Sequence, residues 1–387
     1  MGFCYQNGNG VTQDIDQAVE WYKKAADFGD ENAKKKLDDL GISNPITSSA
    51  VNIMELISQA DAHYINKRYN DAVQLYRQAA EQGNTYAQSK LGWCYDKGYG
   101  VAQDYNQAVE FYRKAAEQGY ADAQYRLGWY YANGISVTKD DNQAVQWYKK
   151  AAEQGYADAQ YRLGWYYANG ISVIKDDHQA VQWYKKAAEQ SHVYAQNELG
   201  LCYKNGYGVS IDVIQAMEWF KKAAEQGHAY AQNQLGIHYY NGSGVTKDDH
   251  QAVEWYRKAA EQGHDGGQLN LANCYYNGYG VTQDYNQAVQ WYRKAAEQGN
   301  SKAQSLLGWC YYQGYGVTKD YILAVEWYRK SAEQGYAEAQ NMLGWYYANG
   351  IGVTKDNEKA MEWYRKAADQ GLEAAKNSLK NMEISYP

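Results

Sequence analysis

Two alternating helical patterns of apolar and polar residues run along the chain. In one of them Ala144, Trp147 and Tyr148 fall at positions i, i+3 and i+4, with lysine and glutamine on the opposite side. This spacing predicts an amphipathic helix with one buried stripe. Asp140 precedes the stripe and Gly155 follows it. An aspartate and a glycine in these places are typical of a helix start and a helix end.

The other pattern comes just before it and has a narrower apolar face. Gln124, Leu127, Gly128 and Tyr131 share that face. A glycine at this point lets a partner helix approach closely. An Asn-Gly turn and a recurring apolar anchor such as Val137 separate the two patterns. Together they predict a helix-loop-helix unit, made of a first helix, a loop and a second helix.

This unit recurs with a fixed period of 36 residues. The glycine that ends the second helix marks the period, with Ser191 in one slot, at Gly83, Gly119, Gly155, Gly227, Gly263, Gly299, Gly335 and Gly371. One helix pair cannot bury its stripe alone, but stacked neighbours can. The sequence therefore predicts an all-α solenoid of stacked helix pairs.

The regularity of the repeat varies along the chain and predicts its domain organisation. Asp30 to Leu40 has the pattern of a closing helix, and Pro45 is the only internal proline. The predicted segments are a partial repeat with a closing helix (1–42), a linker (43–49), a divergent repeat (50–83), eight regular repeats (84–371) and a C-terminal capping helix (372–387).

Charge and hydropathy exclude two classes of partner. The net charge is −7 with both signs mixed, and no basic run is present, which argues against a nucleic-acid surface. No apolar stretch reaches the roughly 20 residues that a membrane-spanning helix needs. We therefore expect neither nucleic-acid binding nor membrane insertion.

The cysteines favour free thiols. Cys94, Cys202, Cys274 and Cys310 share one column of the repeat, and Cys4 fits it too. Neighbouring helices pack about 8–10 Å apart, whereas a disulfide needs Cα atoms within about 7 Å. Free thiols favour a cytoplasmic location. However, residues 1–5 align with residues 91–95, inside a first helix, so a chain that extends upstream and carries a signal segment stays open.

The repeated consensus L-G-x-x-Y-x-x-G-x-G-V-x-x-D-x-x-x-A-x-x-W-Y-x-K-A-A-x-x-G resembles the Sel-one-like repeat family. It is complete in Leu91 to Gly119 and in Leu343 to Gly371. The divergent repeat resembles a tetratricopeptide repeat. The resemblance implies a right-handed α/α superhelix whose concave face binds proteins or peptides, in an adaptor that is not an enzyme and needs no cofactor.

The same resemblance supplies the alternative function. Some cysteine-rich bacterial relatives are described as binding or hydrolysing β-lactams, and these carry two cysteines per unit in an intra-unit disulfide. Here the second position is alanine, as in Ala115, Ala151 and Ala187. Ser136 and Lys139, like Ser172 and Lys175, match the S-x-x-K pattern of penicillin-recognising enzymes. The two serines stand in a loop slot that is glycine elsewhere, which favours a loop.

Two histidine and cysteine columns have spacings that favour structural roles. His192, His228 and His264 begin the first helix in three successive repeats. Helices about 8–10 Å apart hold such rings too far apart to share one zinc ion at about 2.1 Å, so we expect helix caps or solvated side chains. Cys202 and His238 share a column, and the same spacing favours packed thiols over a Cys–His nucleophile pair. We predict no catalytic residue and no metal site.

The aromatic residues divide into two groups. The second-helix tryptophans lie on the apolar stripe and are expected in the core, at Trp147, Trp183, Trp255, Trp291 and Trp327. Aromatics on the first helix point away from its packed side and vary between repeats, which suits an interface. We call the following nine residues the first-helix face and predict that they bind a protein or peptide: Tyr125, Trp129, Tyr161, Trp165, Tyr240, Tyr276, Trp309, Tyr312 and Trp345. Two alternatives stay open, that some of them, Trp129 especially, seal the seam between repeats, and that the array self-associates.

Overall fold

The computed structural model describes residues 14–27, 30–40 and 45–385, and this part of the chain is helical without strands. Its helices are α1 Ile15–Asp27, α2 Glu31–Asp39, α3 Pro45–Ile65, α4 Tyr69–Glu81, α5 Thr85–Lys97, α6 Tyr105–Glu117, α7 Ala121–Asn133, α8 Asp141–Glu153, α9 Ala157–Asn169, α10 Asp177–Glu189, α11 Val193–Asn205, α12 Val213–Glu225, α13 Ala229–Asn241, α14 Asp249–Glu261, α15 Asp265–Asn277, α16 Tyr285–Glu297, α17 Ser301–Gln313, α18 Tyr321–Glu333, α19 Ala337–Asn349, α20 Asn357–Asp369 and α21 Glu373–Ser385. Within these residues no helix has the length and apolar character to cross a bilayer.

The helices form two compact units, one ending at Gln154 and one beginning at Gly155. In the first unit α1 packs on α2, and consecutive helices pack on each other from α3 through to α8, the last helix of the unit. In the second unit the same consecutive packing runs from α9 to α21. Each regular repeat is one first helix and one second helix, such as α13 and α14. The prediction of an all-α solenoid of helix pairs is confirmed.

Helix ends follow the predicted caps. Asp140 precedes α8, and its side chain accepts hydrogen bonds from the backbone N–H groups of Asn142 and Gln143. The first helices end at a glycine in the left-handed region, as at Gly134 with φ 67°. Gly155 has φ 90°, as its place after α8 predicted. These caps repeat because the same residue types recur in the eight regular repeats, apart from Ser191 in place of one second-helix glycine.

The core lies between the two helices of each repeat. A fully buried second-helix tyrosine such as Tyr148 packs on the first-helix glycine, Gly128. A Cβ added to Gly128 would lie 2.9 Å from the Tyr148 ring, so the glycine is what allows this contact. This confirms that Gly128 serves close helix approach.

The second-helix tryptophans differ from their expected place in the core. Trp147, Trp183, Trp255, Trp291 and Trp327 are half-buried. Each lies under the lysine three residues further on, at 3.9 to 4.1 Å from the ammonium to the ring centroid. The tyrosine next in sequence points at the partner helix, which leaves the tryptophan at the edge of the stripe. There its indole gains a cation–π contact instead of full burial.

The linker predicted at 43–49 is only partly described, and its described part is helical. Residues 43 and 44 lie outside the described residues, and α3 begins at Pro45. Proline suits the first position of a helix, since the N–H that it lacks is not needed there. The proline that suggested a break therefore marks a helix start. A short turn at residues 66–68, with Lys67 at φ 60°, joins α3 to α4.

The rest of the domain division stays a prediction. Residues 1–13, with Cys4, and residues 386–387 lie outside the described part. The expected closing helix at Asp30 to Leu40 corresponds to α2, and the expected capping helix corresponds to α21.

Candidate functional site

In the described part of the chain, cavities open between consecutive first helices, and we name three of them A, B and C. Cavity A, of about 150 Å³, lies between α5 and α7 and is lined by Trp93, Tyr112, Arg126 and Trp129 among others. Cavity B, of about 440 Å³, lies between α9 and α11 and includes Tyr161, Trp165, Tyr184 and Glu198. Cavity C, of about 450 Å³, lies between α13 and α15 and includes Tyr240, Tyr256, Asn270 and Asn273. Cavity A belongs to the first compact unit, and B and C belong to the second.

The repeat explains where these cavities occur. Each is lined by the buried tyrosine of the intervening second helix, which is Tyr112, Tyr184 or Tyr256. This tyrosine recurs in seven of the eight regular repeats, and Phe220 takes its place in the other. The walls come from first-helix columns that vary more, so each cavity combines a recurring tyrosine with a local set of side chains.

Five of the nine predicted residues line these cavities. Tyr125 and Trp129 line cavity A, Tyr161 and Trp165 line cavity B, and Tyr240 lines cavity C. Trp165 exposes 37% of its surface, and the other four are half-buried. These side chains are therefore accessible enough to contact a partner.

The other four predicted residues contact one another across repeats. The indole Nε1 of Trp309 donates to the hydroxyl of Tyr276 at 3.1 Å. Tyr312 stands edge-on to Trp345, with ring centroids 5.8 Å apart, and lies 5.8 Å from Trp309. These four half-buried aromatics join three successive repeats, so they contribute to the seams between repeats.

The three cavities differ in charge. In cavity A the Trp93 ring has the Arg126 guanidinium 4.5 Å away and the Lys97 ammonium 4.7 Å away. Cavity B is lined by two carboxyl groups, Asp177 and the half-buried Glu198, and burial raises the pKa of Glu198. Cavity C is lined by amides, of which Asn273 accepts a hydrogen bond from Tyr292 at 2.7 Å. Each cavity thus offers a different chemistry to a side chain that enters it.

Sequence reasoning missed Arg126, Glu198 and Asn270 as cavity residues. One column of the first helix contained the signal, because it changes charge from repeat to repeat. It runs Lys90, Arg126, Arg162, Glu198, Gln234, Asn270, Leu306 and Met342. A comparison limited to aromatic columns overlooks this change.

The candidate nucleophiles are poorly placed for catalysis. Cys94, Cys202, Cys274 and Cys310 are buried and free, and burial raises the pKa of each thiol to about 12. At neutral pH such thiols carry almost no thiolate, which is the reactive form. Ser136 and Ser172 both lie in loops with φ 54°, as expected for a glycine slot.

The histidine column forms helix caps. The Nδ1 atoms of His192, His228 and His264 accept hydrogen bonds from backbone N–H groups three residues on, at 3.1, 3.3 and 2.9 Å. The capping interpretation is confirmed. Among the described residues, no three His, Cys, Asp or Glu side chains are grouped as a metal ion would require.

The family model of the Sel1 repeat matches ten segments, at residues 1–30, 66–84, 85–120, 121–156, 157–192, 193–228, 229–264, 266–300, 301–336 and 337–372. The chain belongs to the Sel1 repeat family. Proteins of this family generally mediate protein–protein contacts. Eight of the matched segments coincide with the eight regular repeats of this Sel1 repeat chain.

Solved structures of two bacterial proteins are similar to this Sel1 repeat chain. One is c5321, a protective antigen of uropathogenic Escherichia coli with an SLR fold; it is 44% identical, with a TM-score of 0.73 over 81% of this chain and 68% of that one. The other is a Sel1 repeat protein from Oxalobacter formigenes, 35% identical, with a TM-score of 0.61 over 80% of this chain and 89% of that one. A comparison with curated proteins finds no match.

Proposed function

We propose that this protein is a non-enzymatic scaffold that binds a protein or peptide segment along the first-helix face. The observation that carries the proposal is the set of aromatic-lined cavities A, B and C, which open at five of the nine predicted residues. The membership of the Sel1 repeat family supports it, since contacts with other proteins are the usual role of these repeats.

Physical chemistry supports side-chain binding at these cavities. Cavities B and C lie within the range of about 300–1,000 Å³ that is typical of ligand sites. Tryptophan and tyrosine contribute most of the binding energy in many interfaces, because a rigid ring buries a large area at little entropic cost. A segment lying across the first helices would insert side chains into the cavities and cover the rims.

The contacts between Tyr276, Trp309, Tyr312 and Trp345 affect which residues test the proposal. Replacing Tyr276 or Tyr312 with alanine removes contacts between repeats as well as exposed ring surface. A loss of binding in those variants would have two explanations. Trp165 is the sharper choice, since it is the most exposed of the nine and lines the larger of the two cavities that contain tryptophan.

The test is a selection from a displayed library of random 12-residue peptides, followed by affinity measurement of the selected peptides by fluorescence anisotropy. We expect Trp165→Ala to weaken binding by about 2 kcal/mol, or roughly 30-fold, as for a hot-spot residue. We expect the melting temperature to change little, because the ring is partly exposed.

The matched control is Trp183→Ala, which removes the same residue type from a second helix, where Lys186 covers it at 4.0 Å. It should leave peptide affinity unchanged. Equal effects of the two substitutions on affinity would contradict the proposal, as would a failure to select any peptide that depends on Trp165. Turnover of nitrocefin by the pure protein would instead favour the β-lactam alternative.

A further inference from the structure

Cavities A and B are two versions of one arrangement, 72 residues apart. Trp93 and Tyr112 of cavity A correspond to Trp165 and Tyr184 of cavity B. In both, a first-helix tryptophan stands beside the buried tyrosine of its second helix. The two cavities can therefore be compared position by position.

In cavity A the chain supplies its own cations to the tryptophan. The Arg126 guanidinium lies 4.5 Å from the centroid of the Trp93 ring and 5.7 Å from that of Tyr112. The Lys97 ammonium lies 4.7 Å from the Trp93 ring. A cation at this distance from an aromatic face is attracted by the negative centre of the ring. Cavity A is thus largely filled, which agrees with its volume of about 150 Å³.

In cavity B both cations are replaced. Glu198 stands at the position of Arg126, and Asn169 stands at that of Lys97. Among the described residues, no lysine or arginine makes a cation–π contact with Trp165. The tryptophan and tyrosine are still present, but the space that the guanidinium takes in cavity A is open here, and the volume is about 440 Å³.

The charges that line cavity B favour a positive guest. They are the carboxylates of Glu198 and Asp177 and the ammonium of Lys175, which lies 3.9 Å from Asp177 at the exposed rim. Glu198 accepts a hydrogen bond from Asn197 at 3.3 Å and has no ion pair in the described part of the chain. Arg162 contacts the Tyr161 ring at 5.8 Å but is not among the residues that line the cavity. Burial of the unpaired Glu198 disfavours its charged form and raises its pKa, a cost that a cation beside it would offset.

We propose that cavity B binds an arginine side chain of the partner segment, with its guanidinium stacked on Trp165 and paired with Glu198. Arginine fits better than lysine, because its planar guanidinium stacks on rings and pairs with a carboxylate at the same time. The guest would take the place that Arg126 occupies in cavity A. This inference rests on the proposed function, since it assumes that a segment lies on the first-helix face.

The test uses the selected peptides and two variants of the full chain. Glu198→Gln introduces the residue that the next repeat has at this position, Gln234. Glu218→Gln makes the same change at an exposed position on α12 and serves as the control. Each protein is titrated with a selected peptide and with the same peptide carrying citrulline, which is neutral, in place of arginine.

We expect peptides selected by the wild type to share an arginine, and citrulline to weaken their binding roughly tenfold. In Glu198→Gln the same replacement should change affinity less than twofold. In the control Glu218→Gln it should weaken binding about tenfold, as in the wild type. The melting temperature of Glu198→Gln should not fall, because the substitution removes a half-buried carboxyl without an ion pair.

Three results would overturn the inference. If the selected peptides need Trp165 but share no arginine, the proposed function would stand and the proposal of an arginine guest would be wrong. An equal citrulline effect in the wild type and in Glu198→Gln would show that Glu198 does not contact the guest. Binding of free arginine amide as tight as that of the peptides would indicate a small-molecule site. A failure of the proposed function itself would give a different result, namely selected peptides whose affinity does not change in Trp165→Ala.

Discussion

At the scale of single residues, one position of the repeat takes different side chains for the same task. In several of the regular repeats the residue before the first helix is asparagine or histidine, as at Asn84, Asn300, His228 and His264. All four side chains accept a hydrogen bond from the backbone N–H three residues on. Asparagine does not ionise, whereas a histidine side chain can take up a proton at its ring nitrogen.

The histidine caps predict that stability depends on pH. Burial lowers the pKa of His228 and of His264; the nearby His264 adds to the shift of His228, and Asp265 opposes that of His264. An unfolded histidine has a pKa near 6.5, so the unfolded chain binds protons first as the pH falls. The stability that these two caps contribute is therefore fully present above about pH 6.5 and is lost as the pH falls below it. A protonated Nδ1 has no free lone pair and can no longer accept the backbone hydrogen bond. Urea unfolding at pH 7.5 and 5.0 should show this loss, about 1 kcal/mol for each cap.

The control is the double variant His228→Asn with His264→Asn, which copies the caps of Asn84 and Asn300. Between pH 7.5 and 5.0 its free energy of unfolding should fall by about 2 kcal/mol less than that of the wild type, which is the loss for both caps together. Carboxylate titration contributes equally to both proteins and cancels in the difference. An equal pH dependence in the two proteins would show that these histidines are not the titrating groups.

At the scale of the helices, a buried glutamine in each first helix connects the ends of second helices. Gln232 of α13 donates to the carbonyl of Ala224, at the end of α12 in the preceding repeat, at 3.1 Å. It also accepts from the amide of Gln262, just after α14, at 2.7 Å. The Ala224 carbonyl also accepts from the backbone N–H of Gly227 at 3.0 Å, so the glutamine gives this helix-end carbonyl a second donor and ties it to the next repeat. Both glutamines recur in all eight regular repeats, whereas the aromatic columns vary.

The glutamine pair predicts that a more apolar residue destabilises the array. Gln232→Leu removes both hydrogen bonds and leaves the Ala224 carbonyl without this donor. We expect the free energy of unfolding to fall by about 2 kcal/mol, the loss of two hydrogen bonds of about 1 kcal/mol each. Gln262→Leu, at an exposed position, should cost less than about 1 kcal/mol. Circular dichroism with urea measures both, and a neutral or stabilising Gln232→Leu would contradict the hydrogen-bond explanation.

At the scale of the whole molecule, each compact unit is stabilised by contacts between consecutive helices. Such an array has no single centre, and its stability is a sum over repeats and their interfaces. Four buried cysteines are distributed over both units, with Cys94 in the first and Cys202, Cys274 and Cys310 in the second. They report on local opening of the repeats that contain them.

We predict that all four thiols resist alkylation in the folded protein. Burial excludes the reagent and raises each pKa to about 12. Iodoacetamide at pH 8 should therefore modify them at least about 100-fold more slowly than in the chain unfolded by urea. Mass spectrometry of peptides gives the rate for each site. Fast modification of Cys274 in the folded protein would contradict its structural role and revive the nucleophile interpretation.

The sequence alone determined most of the fold, because the information that it needs is local. The 36-residue period, the caps at Asp140 and Gly155, and the small residue at Gly128 each follow from neighbours along the chain. It also indicated the first-helix face, since columns that vary are not required for stacking. The start of α3 at Pro45 was misjudged, because proline both interrupts helices and begins them.

Only the tertiary structure decided which parts of that face are open. A cavity is the volume that side chains from three helices leave between them, and periodicity does not report that volume. Trp165 borders a cavity in which Glu198 stands at the position of Arg126 in cavity A, whereas Trp309 meets Tyr276 across a seam. Likewise, the stripe placed both Trp147 and Tyr148 inward, and packing buried the tyrosine and left the tryptophan under Lys150. Local pattern determines which way a residue points, and the side chains of the neighbouring repeat determine what it meets.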